Sequence, residues 1–103
     1  KQWLDTTENQ GAIIIDKGAC KALNKNSSLL FVGIKNIINS FEKGDVINCM
    51  NEKNVCIAKG ITNYGSDDIA LLKGQSSENI ISEYGDKYTK EVIHADNLIV
   101  IEI

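Results

Sequence analysis

The apolar residues of this chain occur in short runs, and none approaches the roughly 18 residues that a membrane-spanning helix needs. The longest runs, among them residues 12–15 and 98–101, have the length of a β-strand. Proline is absent, and eight glycines help to separate the runs. The whole chain has 103 residues, enough to bury one core. The pattern therefore predicts several short strands in a single domain over residues 1–103.

The order of apolar and turn residues predicts mainly β structure with short helices, an α+β fold built as a small mixed β-barrel. Ile34, Ile37 and Ile38 also keep a helical spacing, but their β-branched side chains favour a bent strand. Predicted strands cover residues 12–15, 28–32, 34–41, 46–50, 55–62, 92–93 and 98–103. Predicted helices begin after caps at Asp16, at Ser66 and at Ser76 or Ser77, and cover residues 17–23, 67–73 and 77–84.

The charge balance argues against a protein that coats nucleic acid with a generally basic surface. There are 11 basic and 14 acidic residues, for a net charge of −3. All of the basic residues are lysines, so no guanidinium is present for bidentate contacts to phosphate or guanine.

Cysteine and histidine content argues against a metal centre. The chain has an odd number of cysteines, namely Cys20, Cys49 and Cys56. The single histidine, His94, cannot complete a common set of zinc ligands with them. We expect three unpaired, reduced cysteines that act as small apolar residues. Reduced cysteines are typical of the cytosol.

Groups for catalysis do not converge in the sequence. His94 and Asp96 stand two residues apart and could exchange a proton, but no nucleophile motif or phosphate-binding loop accompanies them. We therefore predict no catalytic residues and no metal site, and we interpret His94 as a structural residue near a strand end.

A binding surface is the remaining alternative. Lys17 and Gly18 open the first predicted helix, where backbone donors could meet an anion. Tyr64 and Tyr84 could stack on bases, although packing in the core or at its rim is the simpler interpretation.

Several motifs, taken in order, resemble the PUA domain, and in particular the one at the C-terminus of glutamate 5-kinases. The resemblance covers nearly the whole chain from Lys1 and Trp3. Its most specific parts are residues 57–64 and 91–98, which read IAKGITNY and EVIHADNL. One departure is Ala95, because the family usually has arginine there, and losing that cation weakens any inference of RNA binding.

The resemblance implies that the fold is a PUA-like mixed β pseudo-barrel. It also implies that the domain is not catalytic and that it regulates the enzyme or modulates its oligomeric state. The chain starts at Lys1 and its only methionine is Met50, so we expect a fragment of a longer cytoplasmic enzyme. That enzyme would phosphorylate glutamate with ATP and magnesium in proline biosynthesis. Expected partners are the kinase domain of the same chain and a second copy in a homo-oligomer, and not a membrane.

RNA is the alternative partner, bound weakly by a basic groove. The residues that we assign to this RNA or ligand surface are Lys17, Gly18, Lys21, Lys59, Asn63, Tyr64 and Lys73. A further alternative is a small-ligand pocket near His94 and Asn97. His94, Asp96 and Asn97 belong to the family motif, and we interpret them as structural. In that role Val92 would point into the core, and a buried His94, together with Asp96, would hydrogen-bond to backbone groups of a neighbouring loop.

Overall fold

The computed structural model describes residues 11–101. The start of the family resemblance, at Lys1 and Trp3, lies outside the described residues. Within that range, five strands form one sheet and three α-helices and two 3₁₀ turns surround it. The strands are β1 (Ala12–Ile15), β2 (Ile34–Ile38), β3 (Val46–Met50), β4 (Cys56–Ile61) and β5 (Leu98–Val100). The helices are α1 (Lys17–Asn24), α2 (Ser66–Leu72) and α3 (Ser77–Tyr84), and the 3₁₀ turns are Phe31–Gly33 and Ala95–Asn97. The predicted class, mainly β with short helices, is confirmed.

The sheet is mixed, in the order β2-β1-β3-β4-β5. β1 runs parallel to β3, and the other neighbouring pairs are antiparallel. The connection from β1 to β3 passes through α1, the first 3₁₀ turn and β2, which supplies the long crossover that a parallel pair requires. The predicted β3–β4 hairpin is confirmed, with residues 51–55 as its connection.

The core lies on one face of the sheet, which we call the inner face. Ile13, Ile47, Cys49 and Ala58 point to it from three adjacent strands, and all four are fully buried. Each helix adds at least one buried side chain to the same cluster: Leu23 from α1, Ile69 and Leu72 from α2, and Ile80 from α3. None of these helices is long and apolar enough to cross a membrane.

Two of the predicted strands are wrong. The only pairing between residues 28–32 and 92–93 is a single bridge from Leu29 to Ile93. The end of the first segment forms the 3₁₀ turn Phe31–Gly33 instead of a strand. The carbonyl groups of this turn are taken by other elements, because Gly33 accepts from the Asp16 amide at 2.9 Å and Phe31 accepts from the Gly74 amide at 2.8 Å. Strand pairing would leave those donors without acceptors.

The N-caps predicted from the sequence agree with those in the structure for two of the three helices. Asp16 Oδ1 accepts a hydrogen bond from the Ala19 amide at 2.8 Å, and Ser76 Oγ accepts one from Asn79 at 3.1 Å. Ser66 was the wrong choice for α2, whose N-cap is Gly65. The Ser66 hydroxyl instead contacts the backbone N–H and C=O of Phe41, both at 3.2 Å, and connects the helix to the segment between β2 and β3.

The three cysteines are free, as predicted, and one of them is buried under the helices. Burial raises the pKa of the Cys49 thiol to about 12, from an ordinary value of 9.0. The partial burial of Cys20 also raises the pKa of its thiol. Since the thiolate is the nucleophile, the buried Cys49 is a poor target for alkylation in the folded protein.

We predict that Cys49 resists iodoacetamide at about pH 8 until the protein unfolds. Its thiol keeps its proton in the fold, so this group costs no stability below pH 9.0, and stability falls as the pH rises from there towards about 12. Mass spectrometry of the labelled peptides measures the first effect, and melting curves across pH measure the second. Rapid labelling of Cys49 without unfolding would contradict its buried position.

Candidate functional site

The start of α1 holds the first part of the predicted binding surface. Lys17 and Gly18 lie in its first turn and Lys21 lies one turn later, all three exposed. A cavity of about 350 Å³ separates this helix from the β3–β4 connection. Lys53 lines the cavity from that connection, opposite Lys17 and Lys21. The structure therefore brings three lysines to one cavity.

Sequence reasoning missed Lys53, which stands among the polar residues of a hairpin turn. No local pattern reveals that this turn faces α1. The positive charge of the cavity is partly offset by Glu52, but the Glu52 carboxylate lies 3.0 Å from the ammonium group of Lys35. The cavity can attract an anion, and the attraction is screened by salt because these charges are exposed.

An apolar groove of about 260 Å³ lies beside the same helix. Ala19 and Ala22 form one wall, and Leu30 and Val32 form the other with side chains that are 43% and 51% exposed. Gly33 allows this close approach, because a Cβ atom there would lie 2.6 Å from the Cβ of Ala19. The surface of α1 thus joins a cationic cavity to an apolar groove, which suits a ligand that carries both an anionic and an apolar part.

The other two predicted lysines lie on other elements. Lys59 is in the middle of β4, paired with Asn48 and Ile99 on the neighbouring strands, and Lys73 follows the end of α2. The four lysines chosen from the sequence are therefore spread over three elements. The RNA surface that combines them stays a prediction.

Asn63 and Tyr64 both hold the segment that leads to the second family motif. The Asn63 amide donates to Val92 O at 2.8 Å, and its side-chain Nδ2 donates to Glu91 O at 2.9 Å. The Tyr64 hydroxyl donates to Lys90 O at 3.2 Å and accepts from the Lys90 amide at 3.0 Å. Four hydrogen bonds thus fasten residues 63–64 to residues 90–92.

The Tyr64 ring is part of an aromatic cluster. Its centroid lies 5.1 Å from that of Phe31 and 5.9 Å from that of Tyr88, and Tyr88 meets Tyr84 edge-on at 5.5 Å. Burial is the main cause of the raised pKa of the Tyr64 hydroxyl. Both predicted stacking tyrosines therefore use their rings for packing within the domain.

Gly60 explains why the two family motifs occur together. A Cβ atom at this position would lie 2.6 Å from Ile93 Cγ2 and 2.8 Å from the carbonyl oxygen of Asn97. Gly60 also pairs with Leu98 across the β4–β5 ladder. The first motif needs glycine because the second motif packs directly on it.

The His94 side chain is exposed, so the expectation that it is buried is wrong. His94 is the N-cap of the second 3₁₀ turn, and its Nδ1 accepts a hydrogen bond from the Asp96 amide at 3.0 Å. The link to a neighbouring loop is made instead by the Ala95 amide, which donates to Ser28 Oγ at 2.9 Å. Val92 is fully buried, as predicted.

The other two residues of this motif are also exposed. The Asp96 carboxylate lies 3.7 Å from His94 Nδ1, and the Asn97 amide donates to His94 O at 2.8 Å. His94 Nδ1 accepts a hydrogen bond from a backbone amide and so helps to shape the turn.

We predict that Gly60→Ala destabilises the domain by about 1–3 kcal/mol, because the added methyl group must displace Ile93 and a backbone carbonyl. Gly18→Ala is the matched control, since a Cβ atom there would lie 3.5 Å from Asp16 Oδ1, an ordinary contact. Chemical denaturation of both variants measures the difference. Equal stability of the two variants would contradict the packing of the motifs on each other.

The comparison with protein families finds the PUA domain over residues 11–84. Among solved structures, a PUA domain from Aeropyrum pernix in complex with tartrate has a TM-score of 0.59 and 30% identity, over 61% of this chain and 35% of that one. A PUA domain protein from Thermoplasma acidophilum has a TM-score of 0.57 and 26% identity, over 65% and 45%. An archaeal box H/ACA Nop10–Cbf5 complex shares the fold over 93% of this chain and 25% of that one, with a TM-score of 0.61 and 18% identity.

Curated relatives cover almost the whole chain. Glutamate 5-kinase of Chromohalobacter salexigens is 39% identical over 98% of this chain, and that of a Marinomonas species is 41% identical over 98%. The chain spans only 27% and 28% of the length of these two proteins. By its sequence profile and its fold, the chain belongs to the PUA domain family.

Proposed function

We propose that this chain is the accessory C-terminal domain of a glutamate 5-kinase. The observation that carries the proposal is similarity over nearly the whole chain to glutamate 5-kinases, at 39% and 41% identity. The remaining part of the protein would phosphorylate the side-chain carboxylate of L-glutamate with ATP and magnesium, in proline biosynthesis. Three free cysteines agree with a place in the cytoplasm.

A non-catalytic role for the domain itself agrees with its side chains. Among residues 11–101, no three His, Cys, Asp or Glu side chains converge to hold a metal ion. The nitrogen of His94 that faces Asp96 is engaged by a backbone amide. The domain would therefore act on the kinase part, by tuning its activity, its feedback inhibition or its assembly into oligomers.

RNA binding is the second candidate, and the surface of α1 is the observation that favours it. Lys17, Lys21 and Lys53 share one cavity, and the adjoining groove is apolar. Lysines that follow the phosphates are one part of how single-stranded RNA is commonly held, but the residues that line the apolar groove include no aromatic side chain on which a base could stack. The net charge of −3 opposes such binding, so it would be weak.

We predict that the full-length protein forms glutamyl phosphate from glutamate and ATP, whereas residues 1–103 alone do not. The reason is that the domain lacks a phosphate-binding loop. Trapping the product with hydroxylamine measures both proteins in one assay. Activity of residues 1–103 alone would overturn the accessory role, and an inactive full-length protein would overturn the assignment to glutamate 5-kinases.

We predict weak, salt-sensitive RNA binding that depends on the α1 cavity. Three lysine contacts to a single strand would give a slope of about −2 for the logarithm of the binding constant against that of the salt concentration. The variant Lys17→Ala/Lys21→Ala/Lys53→Ala should abolish this binding, and Lys43→Ala/Lys87→Ala/Lys90→Ala, which removes three exposed lysines elsewhere, is the matched control. Fluorescence anisotropy with a labelled single-stranded RNA measures both. A tight complex that resists salt would make RNA binding the leading candidate function, ahead of the accessory role.

A further inference from the structure

The face of the sheet opposite the core, which we call the outer face, is unusually apolar. One register row crosses all five strands on this face, through Ile38, Ala12, Asn48, Lys59 and Ile99. Ala12 and the Asn48 Oδ1 atom in the middle of this row are buried, so the exposed apolar side chains lie on either side of them, on β2 and on β3 to β5. A sheet that turns one face to water normally alternates apolar and polar residues along each strand. Here, side chains with large apolar surfaces point to both sides.

Several outer-face side chains are well exposed in this domain. Ile99 is 72% exposed, Val46 is 45% exposed, Ile61 is 42% exposed and Ile38 is 37% exposed. Val46 and Ile61 are directly paired between β3 and β4, so part of this surface is continuous. Contiguous apolar surface of this kind marks an interaction site more often than single exposed residues do.

Charge distinguishes this surface from the one on α1. Along β3 and β4, which lie side by side in the sheet, Lys59 is the only charged residue that alternates onto the outer face. A polyanion would find one cation there, among isoleucine and valine side chains. The chemistry fits an apolar protein surface and not a nucleic acid.

We propose that the outer face docks against the remaining part of the glutamate 5-kinase polypeptide. This inference rests on the proposed function, because about three quarters of the length of the relatives lies outside the matched segment, which spans 27% and 28% of them. A tethered partner has an effective concentration on the order of millimolar, so even a modest apolar interface is occupied.

A second copy of the same face is a poorer occupant than the tethered kinase part. A two-fold interface places the same patch on both subunits. Centring it on this face would bring Lys59 of each copy, in the middle of β4, towards the other within an apolar contact. Burying two like charges without partners is unfavourable. The tethered occupant has no such restriction.

Hydroxyl-radical footprinting of the full-length protein tests the docking with matched isoleucines. Ile99 is 72% exposed on the outer face, and Ile81 is 53% exposed on α3. Since both are isoleucine, an uncovered domain should label Ile99 at least as fast as Ile81. We expect Ile99 to be labelled several-fold more slowly than Ile81, with Leu71 on α2 behaving like Ile81.

Equal labelling of Ile99 and Ile81 would overturn the docking. Protection that disappears on dilution would also overturn it, since it would assign the face to a second copy. Glutamate kinase activity is measured on the same sample. An active enzyme with an unprotected Ile99 would refute only the docking, whereas an inactive protein would refute the proposed function whatever its footprint.

A substitution provides the second measurement. Ile99→Lys in the full-length protein should raise the labelling of Ile61 and of Met50, which follows the outer-face residue Asn48 by two positions in β3, several-fold, because a cation at the interface would displace the kinase part. Ile81→Lys, the matched control outside the face, should leave their labelling unchanged. Unaltered labelling of Ile61 and Met50 in a folded Ile99→Lys variant would contradict the proposal.

Discussion

The contact between the end of β4 and the segment 90–97 is the constraint on which the rest of this domain depends. Gly60 leaves room for Ile93 and for the carbonyl group of Asn97, and the next turn then hydrogen-bonds to the incoming backbone. This contact sets the register in which β5 pairs with β4, and it places Ile93 in the core. A larger residue at Gly60 would displace Ile93 and the carbonyl group of Asn97, and would weaken the closure of the chain over the inner face of the sheet.

The same contact separates the residues that define the family from those that could bind a partner. The polar groups of Asn63 and Tyr64 form hydrogen bonds with the backbone of residues 90–92, and His94 caps a turn. The available cations lie at the other elements, above all beside α1. The family motifs in this domain therefore stabilise the packing of residues 90–97 on β4, and its binding chemistry depends on less distinctive residues.

The two faces of the sheet differ in how far they are covered by the rest of the domain. The inner face is covered by three helices within the described chain, and its residues at Ile13, Ile47 and Cys49 are fully buried. The outer face keeps Ile99 and Ile61 exposed, although their side chains are as apolar as those of the core. A domain with this composition gains more from a covering partner than one with a polar outer face, because burying apolar area is favourable by about 25 cal/mol per Å².

The sequence by itself determined the class of the fold, the β3–β4 hairpin, the cap at Asp16 and the unpaired cysteines, since each depends on neighbouring residues or on composition. It left the cap of α3 open between Ser76 and Ser77, and the structure selects Ser76. Only the tertiary structure decided that residues 28–33 turn instead of pairing, because their carbonyl groups serve Asp16 and Gly74 from distant parts of the chain. It also decided that Lys53 joins the α1 lysines while Lys59 does not. Local patterns specify what a segment can form, but the packing of segments remote in sequence specifies which hydrogen-bonding partners and charges it meets.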